Sequence, residues 1–429
     1  MTSLETVATK ESERIESLDV LRGFALLGIL VVNILGFGLA SAAFIDPGIY
    51  LTPFEGPDSV VWALVELTSE GAMRTLFSIL FGAGVVLFVS GSRGKGGGLH
   101  YRRNFWLLVF GLIDMYVLLW LGDILITYAL GGAVLWLIRN WKPRRLIILA
   151  SLLLLLGTLQ NLAFKITLDV ARDAAVLMEQ AEIAEVEIDA GTQGWAQGWI
   201  EFEKSNLAEI EGIQDEMEVR SHSYRSAFKY NIEGASEMLF FNIPFIFFLD
   251  ALMMMVVGMA LYKLGILEGK RESHFYFKMM WTGFCIGLLI NTYEVWACVN
   301  SGMDVLETNP FFRSTYHLGR LAMGLGYLGL ILWSIKSNWL QSLRARLACV
   351  GRMALTNYLM QSLFGLLIFT GAGLGLIGKL SWSQIYLFVP LIWLFQLIIS
   401  PWWLKHFYFG PVEWLWRYLT YLKQPKMRR

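Results

Sequence analysis

Inside the apolar segments of this chain, a few side chains have the types and spacing that chemistry needs. Of the five histidines, only His317 falls within a predicted membrane span, and Glu294 lies in the neighbouring span near the same level. A histidine oriented by a carboxylate is a natural general base. On the first apolar segment Asp19 and Arg22 are three residues apart and can pair on one helix face. Asn33 follows Arg22 by eleven residues, close to a whole number of turns, so it shares that face about 16 Å further along the axis. Its amide could donate to a developing oxyanion, and Arg22 is a cation suited to phosphate.

The remaining ionisable and amide groups sort into two sets. Arg74, Asp114, Asp123, Asn242, Asn291, Glu294, His317 and Arg320 fall toward one membrane face, and Asn357, Gln361, Gln396 and Ser400 toward the other. Ionisable groups in spans are costly and often mark a functional path; the alternative is that they satisfy one another between helices. Metal chemistry is not expected, because no HExxH or other zinc-ligand spacing occurs. Cys285, Cys298 and Cys349 show no CxxC spacing and read as packing residues. Segment 90–98 holds Arg93, Lys95 and five glycines, a loop that could cradle phosphate but lacks the ending of a P-loop.

The elements that must position these groups are membrane helices. Of 429 residues, 56% are hydrophobic and 16% charged, and the mean hydropathy is strongly positive. That excludes a soluble globular chain and a disordered one, and the zero net charge argues against a nucleic-acid partner. The polar start, residues 1–17, has no signal-peptide pattern. Apolar runs predict an all-α, polytopic bundle of about ten spans: 18–40, 72–90, 104–120, 123–138, 146–164, 239–261, 275–299, 315–335, 353–377 and 384–404. Lysines and arginines gather on alternate connections, as at Arg102, Arg103, Arg144, Arg145, Lys270, Arg271, Arg344 and Arg346, and in the tail at Lys423, Lys426, Arg428 and Arg429. This bias places both termini in the cytoplasm of a multi-pass protein of the inner (plasma) membrane.

The chain reads as a single transmembrane domain, 1–429, with one acidic helical insertion, 167–237, on the outer side. The insertion carries 16 acidic and 5 basic residues. Two or three amphipathic helices are expected there, broken at Gly191 and Gly194, with Trp195 and Trp199 on a face that could lie on the membrane. The tail from Gly410 to Arg417 reads as an interfacial helix opened by Pro411, with Glu413 and Arg417 as an i,i+4 pair.

Three stretches resemble the YeiB-like family of bacterial membrane proteins. They are Leu18-Asp19-Val20-Leu21-Arg22-Gly23 running on to Asn33, then the stretch from Gly351-Arg352 through Asn357-Tyr358 to Gln361-Ser362, and then Gly410-Pro411-Val412-Glu413-Trp414-Leu415-Trp416-Arg417. They occur in the expected order and bracket nearly the whole chain. The opening is also similar to that of heparan-α-glucosaminide N-acetyltransferase and its wider group of transmembrane acyltransferases, in which Leu-Arg-Gly leads into an asparagine matched here by Asn33. That resemblance implies transfer of an acyl group from cytosolic acyl-coenzyme A to an acceptor across the membrane. The group places a functional histidine about three turns beyond the asparagine; the corresponding stretch here, 42–46, contains Phe44 and no histidine. Either another residue such as His317 serves as base, or the chemistry differs.

The expected function is therefore acyl transfer from cytoplasmic acyl-coenzyme A to an extracytoplasmic hydroxyl or amine acceptor, a small molecule or glycan. Asn33, His317 and Glu294 would be catalytic, and Arg22, Asp19, Asn357 and Gln361 would bind the donor, with no metal. The alternative is a transporter or flippase of a small polar or amphipathic solute. The other partners expected are membrane lipids, with homo-oligomers left open.

Overall fold

A computed structural model describes residues 16–90 and 96–429. The expected phosphate-cradling loop around Arg93 and Lys95 falls largely outside the described residues. In chain order the helices are α1 (Glu16–Gly38), α2 (Ala42–Ile45), α3 (Gly48–Leu51), α4 (Gly56–Thr68), α5 (Ala72–Ser90), α6 (Gly97–Tyr116), α7 (Leu125–Ile138), α8 (Pro143–Ile183), α9 (Ala190–Glu211) and α10 (Ile213–His222). They continue with α11 (Tyr224–Glu237), α12 (Phe248–Lys263), α13 (Ser273–Asn300), α14 (Val305–Thr308), α15 (Tyr316–Lys336), α16 (Gln341–Arg352), α17 (Ala354–Phe369), α18 (Trp382–Ile385), α19 (Phe388–His406) and α20 (Pro411–Tyr421). The protein is an all-α, polytopic helical membrane protein. Among the described residues, seven helical segments are long and apolar enough to cross a membrane, and α7 and α17 are shorter apolar helices. The expected count of about ten is reached only by adding those two and the more charged α6.

Several expected boundaries move for local reasons. Helix α8 does not stop at residue 164 but runs unbroken to Ile183, because good helix formers follow Gly157 without a proline. The break in the insertion lies ahead of Gly191 and Gly194, which sit inside α9. Asp189 ends the break by accepting from the Gly191 and Thr192 amides at 2.9 and 3.1 Å. Within the insertion, Arg172 of α8 stacks on the ring of the half-buried Trp199 at 4.6 Å. Between α11 and α12, residues Met238–Phe247 form a π-helical stretch containing Pro244, a proline that supplies no amide to the helical ladder.

Helix α1 is the buried axis of the bundle. Leu21, Ala25, Leu26, Leu30 and Ile34 are inaccessible to solvent, and its far end is tied to the insertion. The Ser41 amide donates to both oxygens of Glu216 at 3.1 Å, while Arg220 donates to the Gly36 and Leu39 carbonyls at 3.3 and 3.4 Å. Carbonyls left open at a helix C-terminus welcome such a cation. The insertion is thus clamped onto the bundle through α10.

At the opposite end α1 crosses α16 at two glycines. A Cβ on Gly23 would sit 2.0 Å from the Leu347 carbonyl oxygen, and one on Gly351 would sit 1.9 Å from that of Asp19. Only glycine allows this backbone approach. The glycine after Arg22 and the glycine before Arg352 therefore bring their two arginines to one place.

Candidate functional site

The α1–α16 crossing forms one wall of a cavity of about 230 Å³. Its charged lining is Asp19 and Arg22 from α1, Arg103 from α6, Arg352 from α16, and Glu413 and Arg417 from α20. Four guanidinium groups thus face two carboxylates. Arg22 contacts Asp19 at 3.3 Å while remaining partly accessible. Arg103 is held between rings, 4.5 Å from that of Trp416 and 5.0 Å from that of Phe88. Glu413 caps α17, accepting from the Leu355 and Thr356 amides at 2.7 and 3.0 Å and from the Thr356 hydroxyl. A carboxylate suits the positive end of a helix. Burial pushes the Glu413 carboxyl above its ordinary value, against the lowering pull of Thr356 and the backbone amides. Such a cavity can hold an anion, because guanidinium groups recognise phosphate and carboxylate through charge-assisted hydrogen bonds.

The three stretches singled out in the sequence converge on this cavity, which explains their separation along the chain. The first contributes Asp19 and Arg22, the second Gly351, Arg352, Ala354, Leu355 and Tyr358, and the third Glu413, Trp416 and Arg417. Sequence reasoning missed Arg103, His100 and Asn104, which complete the cavity from α6. Arg103 was counted only toward the charge of a cytoplasmic connection; its position next to an amide at the start of a span was the available signal.

Asn357 and Gln361 do not line the cavity. Asn357 donates to Ser400 at 3.0 Å and to the Val350 carbonyl at 3.2 Å, and Gln361 donates to Gln396 at 3.1 Å and to the Leu26 carbonyl at 3.3 Å. They join α1, α17 and α19 as buried amides do. Asn33 is half-buried on α1 and lines neither this cavity nor the second one described below.

Behind the cavity floor lies a charged layer. Tyr128, in the floor, shares a hydrogen bond of 2.7 Å with Ser78. One turn along α5, Arg74 reaches the Tyr316 hydroxyl at 2.6 Å and Asp250 at 3.5 Å. Tyr316 donates to Glu70 at 2.9 Å. Asp250 binds Arg320 through both oxygens, one contact being 2.8 Å. Arg320 donates in turn to Nδ1 of His317 at 2.9 Å, and Nε2 of His317 faces the Gly157 backbone. Because arginine only donates, Nδ1 must accept, which puts the histidine proton on Nε2. Both ring nitrogens are therefore engaged.

His317 and Glu294 are not brought together. His317 sits 3.7 Å from Asp250. Glu294 belongs to a separate cluster, 3.5 Å from Arg313 and accepting from Thr315, with Glu66 at 2.9 Å from the same arginine. Asp250 was missed in the sequence, although a lone carboxylate in an apolar run was the signal. On the far side of the layer, His317 and Asp250 reach a second cavity of about 210 Å³, walled by Phe164, Leu249, Met253 and Phe311 with Gln160, Asn161 and Asn309. Among the described residues no group of three His, Cys, Asp or Glu side chains could hold a metal ion.

A multi-pass helical membrane protein whose terminal motifs close one basic cavity is the class that fold and site define. The comparisons place it further. The family model described as protein of unknown function (DUF418) matches residues 261–423. The uncharacterized protein YxaH of Bacillus subtilis (strain 168) is 31% identical, with 98% of this chain and 97% of that protein aligned. The uncharacterized protein YeiB of Escherichia coli (strain K12) is 29% identical over 95% of this chain and 96% of its own length. The chain belongs to the YeiB-like family of membrane proteins. No solved structure matches it.

Proposed function

We propose that this protein is a transmembrane acyltransferase of the inner membrane. It would cross the membrane about ten times, with both termini in the cytoplasm, and bind acyl-coenzyme A in the basic cavity. The observation that carries this reading is the convergence of all three motif segments on a cavity with four arginines and two carboxylates. Phosphate groups of the donor would meet Arg22, Arg103, Arg352 and Arg417. The thioester would then point toward Tyr128 and the charged layer. In the transfer, the thioester C–S bond breaks and an acyl–oxygen or acyl–nitrogen bond forms on the acceptor. The coenzyme leaves as the thiol, and the acceptor loses one proton. The second cavity is the place for the acceptor, with Gln160 and Asn309 as amide partners. Asn33 and His317 are not assigned a step, since one lines neither cavity and the other has both ring nitrogens engaged.

Solute transport is the competing reading, favoured by the two cavities lying on either side of one charged layer. Purified protein in nanodiscs decides between them. Acetyl-coenzyme A should bind with an affinity that falls with salt, Arg22→Gln should weaken it, and a hydroxyl or amine acceptor should release free thiol. Absence of coenzyme binding sinks the acyltransferase reading. Binding without thiol release, together with uptake of the coenzyme into vesicles, favours transport. Orientation is tested on intact cells, where a protease should cut the insertion 167–237 and spare the C-terminal tail; cleavage of the tail alone reverses the topology.

A further inference from the structure

Beside the basic cavity stand two carboxyl groups that neither the charged layer nor the cavity's ion pairs employ. Asp114 of α6 is completely buried. It faces the carboxyl of Asp123, in the link between α6 and α7, and the hydroxyl of Ser362 on α17. Asp123 is also buried and is fixed in place: the Ile126 amide donates to one oxygen at 2.9 Å, and the Tyr358 hydroxyl lies 3.5 Å from the other. The Trp120 indole stands beside Tyr358. From α11 the nearby polar group is Asn231, whose amide is occupied by the Met115 carbonyl at 2.9 Å. Among the described residues neither aspartate forms an ion pair.

Two facing carboxyl groups removed from water cannot both carry charge, so one proton stays on the pair. The pair then bears a single negative charge with no cation bonded to it. Uptake of a second proton would make it neutral, which a dry site favours. Tyr358 stands between the pair and the basic cavity, since it lines the cavity while its hydroxyl accepts from the Ile124 amide at 3.2 Å and lies 3.5 Å from Asp123.

We propose that Asp114 and Asp123 form a proton-binding site that serves the basic cavity through the Tyr358 hydroxyl. A group in the cavity gives its proton to the Tyr358 oxygen as the Tyr358 proton passes to Asp123. Only O–H bonds and the donor group's bond to hydrogen change, and the donor's lost positive charge appears as neutralisation of the pair. The use of this proton rests on the cavity being the ligand site, but the presence of the proton does not.

Infrared difference spectroscopy on the full chain in nanodiscs tests both parts. At neutral pH the wild type should show a protonated-carboxyl C=O stretch that is lost in Asp114→Asn and in Asp123→Asn. In D2O that band should shift as its proton exchanges, and Tyr358→Phe should slow the shift several-fold while keeping the band. An identical band in wild type and both aspartate variants overturns the proton site. Unchanged exchange in Tyr358→Phe overturns the route. Should one asparagine variant fail to fold, the other and Tyr358→Phe still decide. Failure of coenzyme A to bind would sink the acyltransferase reading and leave these outcomes untouched.

Discussion

The basic cavity and the charged layer behind it are both rich in arginine, yet they are built for different ends. In the layer and its neighbouring cluster, Arg74, Arg313 and Arg320 contact Glu66, Glu70, Asp250 and Glu294. Each of the three cations has at least one of the four carboxylates as partner, and Arg320 is among the most deeply buried large side chains. In the cavity four arginines meet two carboxylates, one of which is committed to capping α17. Matched charges in a dry interior hold helices in register. Cations that outnumber the carboxylates around open space attract an anion. An intramembrane arginine becomes a functional candidate through the charge balance of its surroundings rather than through its presence.

Variants can break this contrast. The largest effect is expected from Asp250→Ala, which strands Arg320 in the interior and leaves Arg74 only the more distant Glu70. A broken buried pair costs about 3–5 kcal/mol, so thermal unfolding in detergent should begin many degrees lower or folded protein should be lost. A mild shift would mean that water reaches the layer. Arg22→Gln should reverse the pattern. Its pair with Asp19 is partly accessible, so stability should change by about 1 kcal/mol or less. Coenzyme A binding should weaken by about tenfold or more, as expected for a lost charged hydrogen bond of roughly 1.5–3 kcal/mol. Equal losses of stability and binding would erase the distinction between the two regions.

His317→Gln sharpens the contrast inside the layer. Glutamine can accept from Arg320 and donate toward Gly157, so unfolding should move by about 1 kcal/mol; turnover retained in this variant excludes His317 as the base, and turnover abolished with stability intact restores it. The smallest effect concerns Glu413. Its raised folded-state value means that the protonated form is favoured by folding. The stability this contributes is fully present below the unfolded value and is lost as pH rises through the folded value. Wild type should therefore lose a little stability from acidic toward neutral pH, and the Glu413→Gln profile should be flatter there. Parallel profiles would show that Glu413 does not titrate in this range.

How much was legible in the sequence differs between the two regions. Asp19, Arg22 and the motif segments at Gly351 and Gly410 could be recognised because each is a compact run of unusual residues. Their convergence could not, since it depends on a glycine crossing between helices more than three hundred residues apart. The layer was harder to read. His317 and Glu294 lay at similar predicted depth, but depth carries no angle about the helix axis, and rotation turned one toward Asp250 and the other toward Arg313. For the same reason Asn357 and Gln361 were legible as buried polar groups but not as partners of Ser400 and Gln396.

By itself the sequence determined that the chain is a helical membrane protein, because twenty-residue apolar runs have no other stable home and satisfy their backbone groups only as helices. It also marked which short stretches carry unusual chemistry. Tertiary structure alone decided which of those stretches share a cavity and which charges neutralise one another. A lipid-embedded helix is nearly indifferent to its rotation until packed side chains and interhelical hydrogen bonds fix it. Those contacts join residues far apart in the chain, as Gly23 meets Leu347 and Glu413 meets Thr356.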